Sequence, residues 1–191
     1  MTSEQPKPAT AYTQLHNRNA DNRNFDPADV ERVRKGFIAK RENGLITDEK
    51  GRFVVNSDNY EFLRDGRECP ETVNPQLWRH ATLNAHHGLF KVADGVWQVR
   101  GYDISNITFI RGTKGWVVID PLTSEHTARA ALELMDEHVE KLPTTAVIFT
   151  HSHADHFGGV LGVTTQADVD AGRCRIVAPV GFLYETVGEN V

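Results

Sequence analysis

The hydrophobic pattern changes period along the chain. Residues 1–24 are almost wholly polar, broken by Pro6 and Pro8 and closing on the Asn/Asp/Arg-rich run 17–24. That composition predicts an arm without a core of its own, loose or draped over a partner. Val30, Val33, Phe37 and Ile38 then recur at helical spacing behind Asp26-Pro27, a capping acid followed by the residue suited to the first helical position. Asn43-Gly44 supplies a stop for that helix. Leu45-Ile46 and Phe53-Val54-Val55 flank Asp48-Glu49-Lys50-Gly51 and predict a small hairpin. Pro75–Asn84 predicts a short helix with Leu77, Trp78 and Leu83 facing inward.

From Leu89 the period shortens to that of strands. Segments 89–93 and 96–100 flank Asp94-Gly95, a two-residue hairpin signal, and 106–111 and 115–119 follow around Gly112 and Gly115. Ser124 caps a helix over 125–140 whose apolar stripe is Ala128, Ala131, Leu132, Met135 and Val139, and Pro143 ends it. The apolar run at 145–149 completes a strand–helix–strand unit. Shorter elements are predicted at 165–172, 175–178 and 181–187. The organisation is thus an arm at 1–24, a helical and hairpin lead at 25–87 and an α/β region at 88–191.

The chemistry concentrates where that last core strand ends, in Thr150-His151-Ser152-His153-Ala154-Asp155-His156-Phe157-Gly158-Gly159. Sites in open α/β sheets lie just beyond the carboxyl ends of strands. In an extended segment, residues two apart leave the same side of the backbone, so His151 and His153 can reach one ion at roughly 2.0–2.1 Å. Asp155 and His156 follow after a turn and point to a second position. Two ions about 3.5–4 Å apart can share a hydroxide and polarise a substrate oxygen. Gly158-Gly159 lets the backbone turn tightly and pack closely. A solvated His-rich loop is the competing reading, and the buried strand before the loop and the glycines after it argue against it. His86-His87 are neighbours whose side chains diverge, so a shared ion there is not expected.

Charge and composition narrow the partners. The net charge is −5, from 21 basic and 26 acidic residues, which gives no electrostatic reason to bind nucleic acid. Cys69 and Cys174 make no C-x-x-C pair and read as inert thiols. The first residues lack the apolar stretch of a signal peptide, and no run is long enough to span a membrane, so the expected location is cytoplasmic.

The 150–156 string resembles the H-x-H-x-D-H signature of the metallo-β-lactamase superfamily. That resemblance implies an αββα sandwich with a one- or two-metal site, usually zinc, in which His151 and His153 hold the first ion and Asp155 and His156 the second. Gly95-Val96-Trp97-Gln98-Val99-Arg100-Gly101-Tyr102-Asp103-Ile104-Ser105-Asn106-Ile107-Thr108-Phe109-Ile110, the segment 115–124 and Asn84–Phe90 are similar to the linear alkyl sulfatases within it. The likeness runs over roughly residues 25–190, with Gly101–Asn106 its most specific piece.

What this second resemblance implies is hydrolysis of alkyl sulfate esters such as dodecyl sulfate at two zinc ions. Two acids and one further histidine would come from downstream positions, and a helical dimerisation domain would make a homodimer. Members of this family are often exported, which sets the compartment apart from the cytoplasmic reading. The chain is accordingly expected to be the N-terminal part of a longer protein, holding the first half of the sandwich and inactive by itself. Asp155 has two roles open, ligand of the second ion or base orienting water. Asp120 has two as well, a carboxylate fixing a ligating imidazole or a turn acid before Pro121. A thioesterase- or lactamase-like hydrolase, a flavo-diiron oxidoreductase and an inactive fragment are the competing functions.

Overall fold

A computed structural model describes residues 7–20, 26–63 and 66–190 of the chain. The contacts divide it into two units, residues 1–34 with 60–86 and residues 35–59 with 87–191.

The first unit is helical. Helix α1 (Ala11–Ala20) occupies part of the predicted arm; it buries no residue, and its Gln14 and Asn17 amides donate to Glu71. Part of the polar run 17–24 lies outside the described residues. Asp26 accepts from the Ala28 amide ahead of α2 (Asp29–Arg34), where Asp29 receives Arg79 at 2.6 Å. The predicted helix through Phe37 and Ile38 therefore stops early. Gly36 takes a left-handed φ of +78°, the conformation that closes helices and that only glycine adopts freely. Helix α3 (Pro75–Asn84) begins as expected, with Asn74 accepting from the Gln76 and Leu77 amides and Pro75 in the first turn. Leu77, expected inward, is 61% exposed, while Trp78 packs on Phe62 and donates to the Arg67 carbonyl.

The second unit is a seven-stranded sheet in the order β1-β4-β5-β6-β7-β8-β9: β1 (Phe37–Ala39), β4 (Gly88–Ala93), β5 (Val96–Arg100), β6 (Ile107–Arg111), β7 (Trp116–Ile119), β8 (Thr144–Ile148) and β9 (Arg175–Val177). Phe37 joins the sheet because its ring meets Phe90 edge-on across the β1–β4 pair, a packing partner that overrides the helical spacing. The predicted hairpin is β2 (Leu45–Thr47) with β3 (Phe53–Asn56). Pairing is antiparallel from β1 to β7 and parallel from β7 through β8 to β9. The switch falls at β7 because β7 and β8 are joined by a helix, α4 (Glu125–His138), and not by a turn.

Alternation decides which face is covered. Trp116 and Val118 of β7, Ile107 and Phe109 of β6 and Val147 of β8 are fully buried and share one cluster with Ala128, Ala131, Leu134 and Met135 of α4. Burying one such large side chain contributes about 1.5–3 kcal/mol. Trp116 anchors the cluster, meeting Trp97 at 5.5 Å and Phe109 at 6.3 Å, both edge-on. Ser124 caps α4 through the Thr127 amide, as its position predicts. The short late elements are α5 (Gln166–Asp170), β9 and α6 (Phe182–Asn190). No helix among the described residues is long and apolar enough to cross a membrane.

Candidate metal centre

Parallel pairing of β7 and β8 sets Ile119 beside Ile148, so the residues that leave the two strands emerge together. Asp120 leaves β7 with its amide donating to the Ile148 carbonyl, and Thr150 leaves β8. The buried Asp120 carboxylate accepts three hydrogen bonds: from the Thr150 amide on Oδ1 (2.8 Å), and from the Thr150 hydroxyl (2.7 Å) and His156 Nδ1 (2.8 Å) on Oδ2. Asp120 thus stands behind the His156 imidazole, and it also turns the chain before Pro121, where the Leu122 amide donates to its carbonyl. Its backbone is left-handed (φ 54°), as is that of the fully buried Leu122 (φ 65°). A branched residue in that region costs energy that the surrounding packing must offset, a condition frequent beside active sites.

The four predicted ligands fall into two pairs. His151 Nε2 lies 3.1 Å from His153 Nδ1, and His156 Nε2 lies 3.3 Å from Asp155 Oδ2. The rings of His151 and His156 are 4.1 Å apart, which makes the pairs neighbours. Two donors at 2.0–2.1 Å on one tetrahedral ion sit about 3.3 Å from each other. With Nδ1 donating to Asp120, His156 turns Nε2 toward an Asp155 oxygen at 3.3 Å, a spacing that a shared cation or a proton on Nε2 satisfies. The donor set therefore fits divalent metal, with imidazole and carboxylate suited to zinc. In each pair only two ligand atoms come together; among the described residues, the one grouping of three within 4.8 Å is Glu49, Glu125 and His126. There Arg129 reaches Glu49 at 3.3 Å and Glu125 at 3.7 Å, so the acids are already matched by a guanidinium.

The glycines act through close approach. A Cβ on Gly159 would lie 2.1 Å from the Pro121 carbonyl oxygen and 2.5 Å from that of Ser124, and one on Gly158 would lie 2.3 Å from the Thr123 carbonyl oxygen. The Gly159 amide donates to the Leu122 carbonyl at 2.8 Å. The loop that ends in Gly158 and Gly159 is thus pressed onto the chain leaving β7.

Three residues at this site have roles that motif reading did not assign. Asp103 accepts from the Ile104 and Thr123 amides and from the Thr123 and Thr127 hydroxyls. Ser105 donates to the Asp155 backbone carbonyl. Glu189 of α6 accepts from Ser152 and lies 3.8 Å from His153 Nε2. Tyr102, whose phenol burial pushes up from its ordinary value, accepts from the Arg41 amide, and Gly101 (φ +73°) packs against His87. Gly101–Ser105 is therefore a brace, pinning the 150–156 loop on one side and the start of α4 on the other. Phe109 and Leu122 are core, and Phe157 packs between Phe149 and Phe182.

Residues 100–189 match the family model of the metallo-β-lactamase superfamily. A linear primary-alkylsulfatase of Pseudomonas sp. is 45% identical over 196 residues, covering 99% of this chain and 28% of that protein. An alkyl/aryl-sulfatase of Saccharomyces cerevisiae is 46% identical over 167 residues, covering 87% of this chain and 26% of that protein. The solved structure of a stereoselective inverting sec-alkylsulfatase from Pseudomonas sp. matches with a TM-score of 0.90 at 43% identity, covering 97% of this chain and 29% of that one. The chain spans less than a third of the length of the relatives it matches. With its sheet, its loop and these likenesses in agreement, residues 100–189 carry a metallo-β-lactamase superfamily domain, and the chain is similar along nearly all of its length to alkylsulfatases.

Proposed function

We propose that the protein carrying this chain hydrolyses alkyl sulfate esters at a metal centre built on His151, His153, Asp155 and His156. The observation that carries the reading is identity of 43–46% to proteins named alkylsulfatases, over 87–99% of this chain. His151 and His153 would hold one ion, and Asp155 and His156 a second. Bound divalent ions supply Lewis acidity and a nucleophile at neutral pH.

The chain's own residues prepare that chemistry. Asp120 keeps the proton of His156 on Nδ1 and leaves Nε2 free to ligate. Ser105 holds the Asp155 backbone and so limits where its carboxylate can swing. Asp155 is then placed either to ligate or to orient an attacking water. The reading extends to zinc as the metal, two ions per protein, a homodimeric whole protein and a cytoplasmic location, checked by metal analysis, sedimentation and cell fractionation.

The test is sulfate release from dodecyl sulfate by the full gene product, run beside a thioester and a β-lactam. Turnover of the sulfate ester, lost in His151→Ala and His153→Ala together with bound metal, is the expected result. Preference for thioester or lactam, or both variants retaining metal and sulfate release, overturns it.

A further inference from the structure

Thr150 sits between Asp120 and His151, and its hydroxyl touches both. Oγ1 lies 2.7 Å from Asp120 Oδ2 and 2.9 Å from His151 Nδ1. A carboxylate only accepts, so the hydroxyl proton goes to Asp120. The hydroxyl oxygen is then left as an acceptor, and the group that must donate to it is His151 Nδ1–H. A neutral imidazole has one N–H, so its lone pair falls on Nε2, the atom 3.1 Å from His153 Nδ1.

We infer that Thr150 is a positioning residue that sets the tautomer of His151 and thereby presents Nε2 for metal. Asp120 then governs two imidazoles with one carboxylate, His156 by direct contact and His151 through the hydroxyl. This inference rests on the metal reading above for its consequence, whereas the tautomer itself is a property of the metal-free protein. Free imidazole side chains in water favour the proton on Nε2, so a proton held on Nδ1 is a distinguishable state. Thr150 is exposed, so loss of its hydroxyl opens no buried cavity, and Asp120 keeps its two other donors. Its amide bond to Asp120 Oδ1 survives any side-chain change.

The test uses the full-length protein with Thr150→Val, which keeps the shape and removes the hydroxyl, and Thr150→Ser, which restores it. Histidine-selective ¹⁵N spectra of the metal-free protein are expected to show His151 protonated on Nδ1 in the parent and in Thr150→Ser, and shifted toward Nε2 in Thr150→Val. Zinc affinity, measured against a competing chelator, is expected to fall about 10–100-fold in Thr150→Val and to recover in Thr150→Ser. An unchanged tautomer and unchanged affinity in Thr150→Val, with zinc lost in His151→Ala, overturn the role of Thr150 and leave the metal reading standing. Zinc retained by His151→Ala overturns the metal reading itself, and the role of Thr150 in metal binding with it.

Discussion

His156 Nδ1 donates to Asp120 Oδ2 at 2.8 Å, across a gap of 36 residues in sequence. The carboxylate holds three donors, so an amide in its place must turn its NH₂ toward at least one of them. Asn tolerates the left-handed backbone of Asp120 at least as well as Asp does, which keeps the fold test clean. Asp120→Asn is expected to weaken zinc binding about 10–100-fold while far-UV circular dichroism stays that of the parent. Parent-like affinity in a chelator competition would remove Asp120 from the centre.

The brace makes a second prediction. Asp103→Ala withdraws the acceptor used by two amides and two hydroxyls, although the Thr127 hydroxyl keeps a second partner in the Ser124 carbonyl. A loss of about 0.5–1.5 kcal/mol in urea unfolding is expected, the net worth of a typical hydrogen bond, because the amides and the Thr123 hydroxyl it releases are exposed. Ser105→Ala removes one donor to the Asp155 carbonyl and should cost about 0.5–1.5 kcal/mol, with metal retention lowered as well. Equal unfolding midpoints for parent and Asp103→Ala would show that the brace does not support the fold.

Gly159 and Gly188 should respond to alanine with opposite signs. At Gly159 the new methyl meets two carbonyl oxygens and the Ala128 methyl, none of which can swing away, and about 1–3 kcal/mol of destabilisation is expected from the overpacking. At Gly188, within α6, nothing lies within 4 Å and the backbone is not left-handed, so alanine should stabilise by roughly 0.5–1 kcal/mol. Thermal melts of the two variants decide it; a neutral Gly159→Ala would mean the loop is not clamped.

These residues also show what the sequence could and could not disclose. Strand periodicity located β4 to β6, short apolar runs located β7 and β8, and helical periodicity located α4. The run before the loop suggested burial on both faces, whereas within β8 only Val147 is fully buried. Periodicity failed at Phe37, where spacing suited a helix but a ring across the sheet and a left-handed Gly36 decided otherwise. The 150–156 loop stood out because metal chemistry needs particular residue types at close spacing, and the fold brings its four side chains together as two pairs. Asp120 was visible only as a choice between two roles, since its hydrogen bond with His156 joins residues far apart in sequence. Gly101–Ser105 stood out by likeness alone; its mechanical role depends on Thr123, Thr127 and Asp155, which no local pattern connects to it. Gly158 and Gly159 were singled out for tight turning and close packing, and the contacts assign them the second.

Asp136 supplies a pH-dependent prediction away from the 150–156 loop. Burial, reinforced by Glu133 and opposed by Lys141, raises its carboxyl above the ordinary value of 3.8, and its Oδ1 is buried without a partner. It also stands in the last turn of α4, where negative charge opposes the helix dipole. The folded state therefore binds this proton more tightly than the unfolded chain does, and by linkage stability falls as pH rises from 3.8 through the raised value. Below 3.8 the group is protonated in both states and contributes nothing to that slope. Asp136→Asn has no proton to lose, so its melting temperature relative to the parent should climb across that window and level off above it. Subtracting the parent's melting curve at each pH cancels the other titrating groups, which the two proteins share. A difference in melting temperature that is flat from pH 3.5 to 7, or that shrinks as pH rises, would contradict the raised carboxyl.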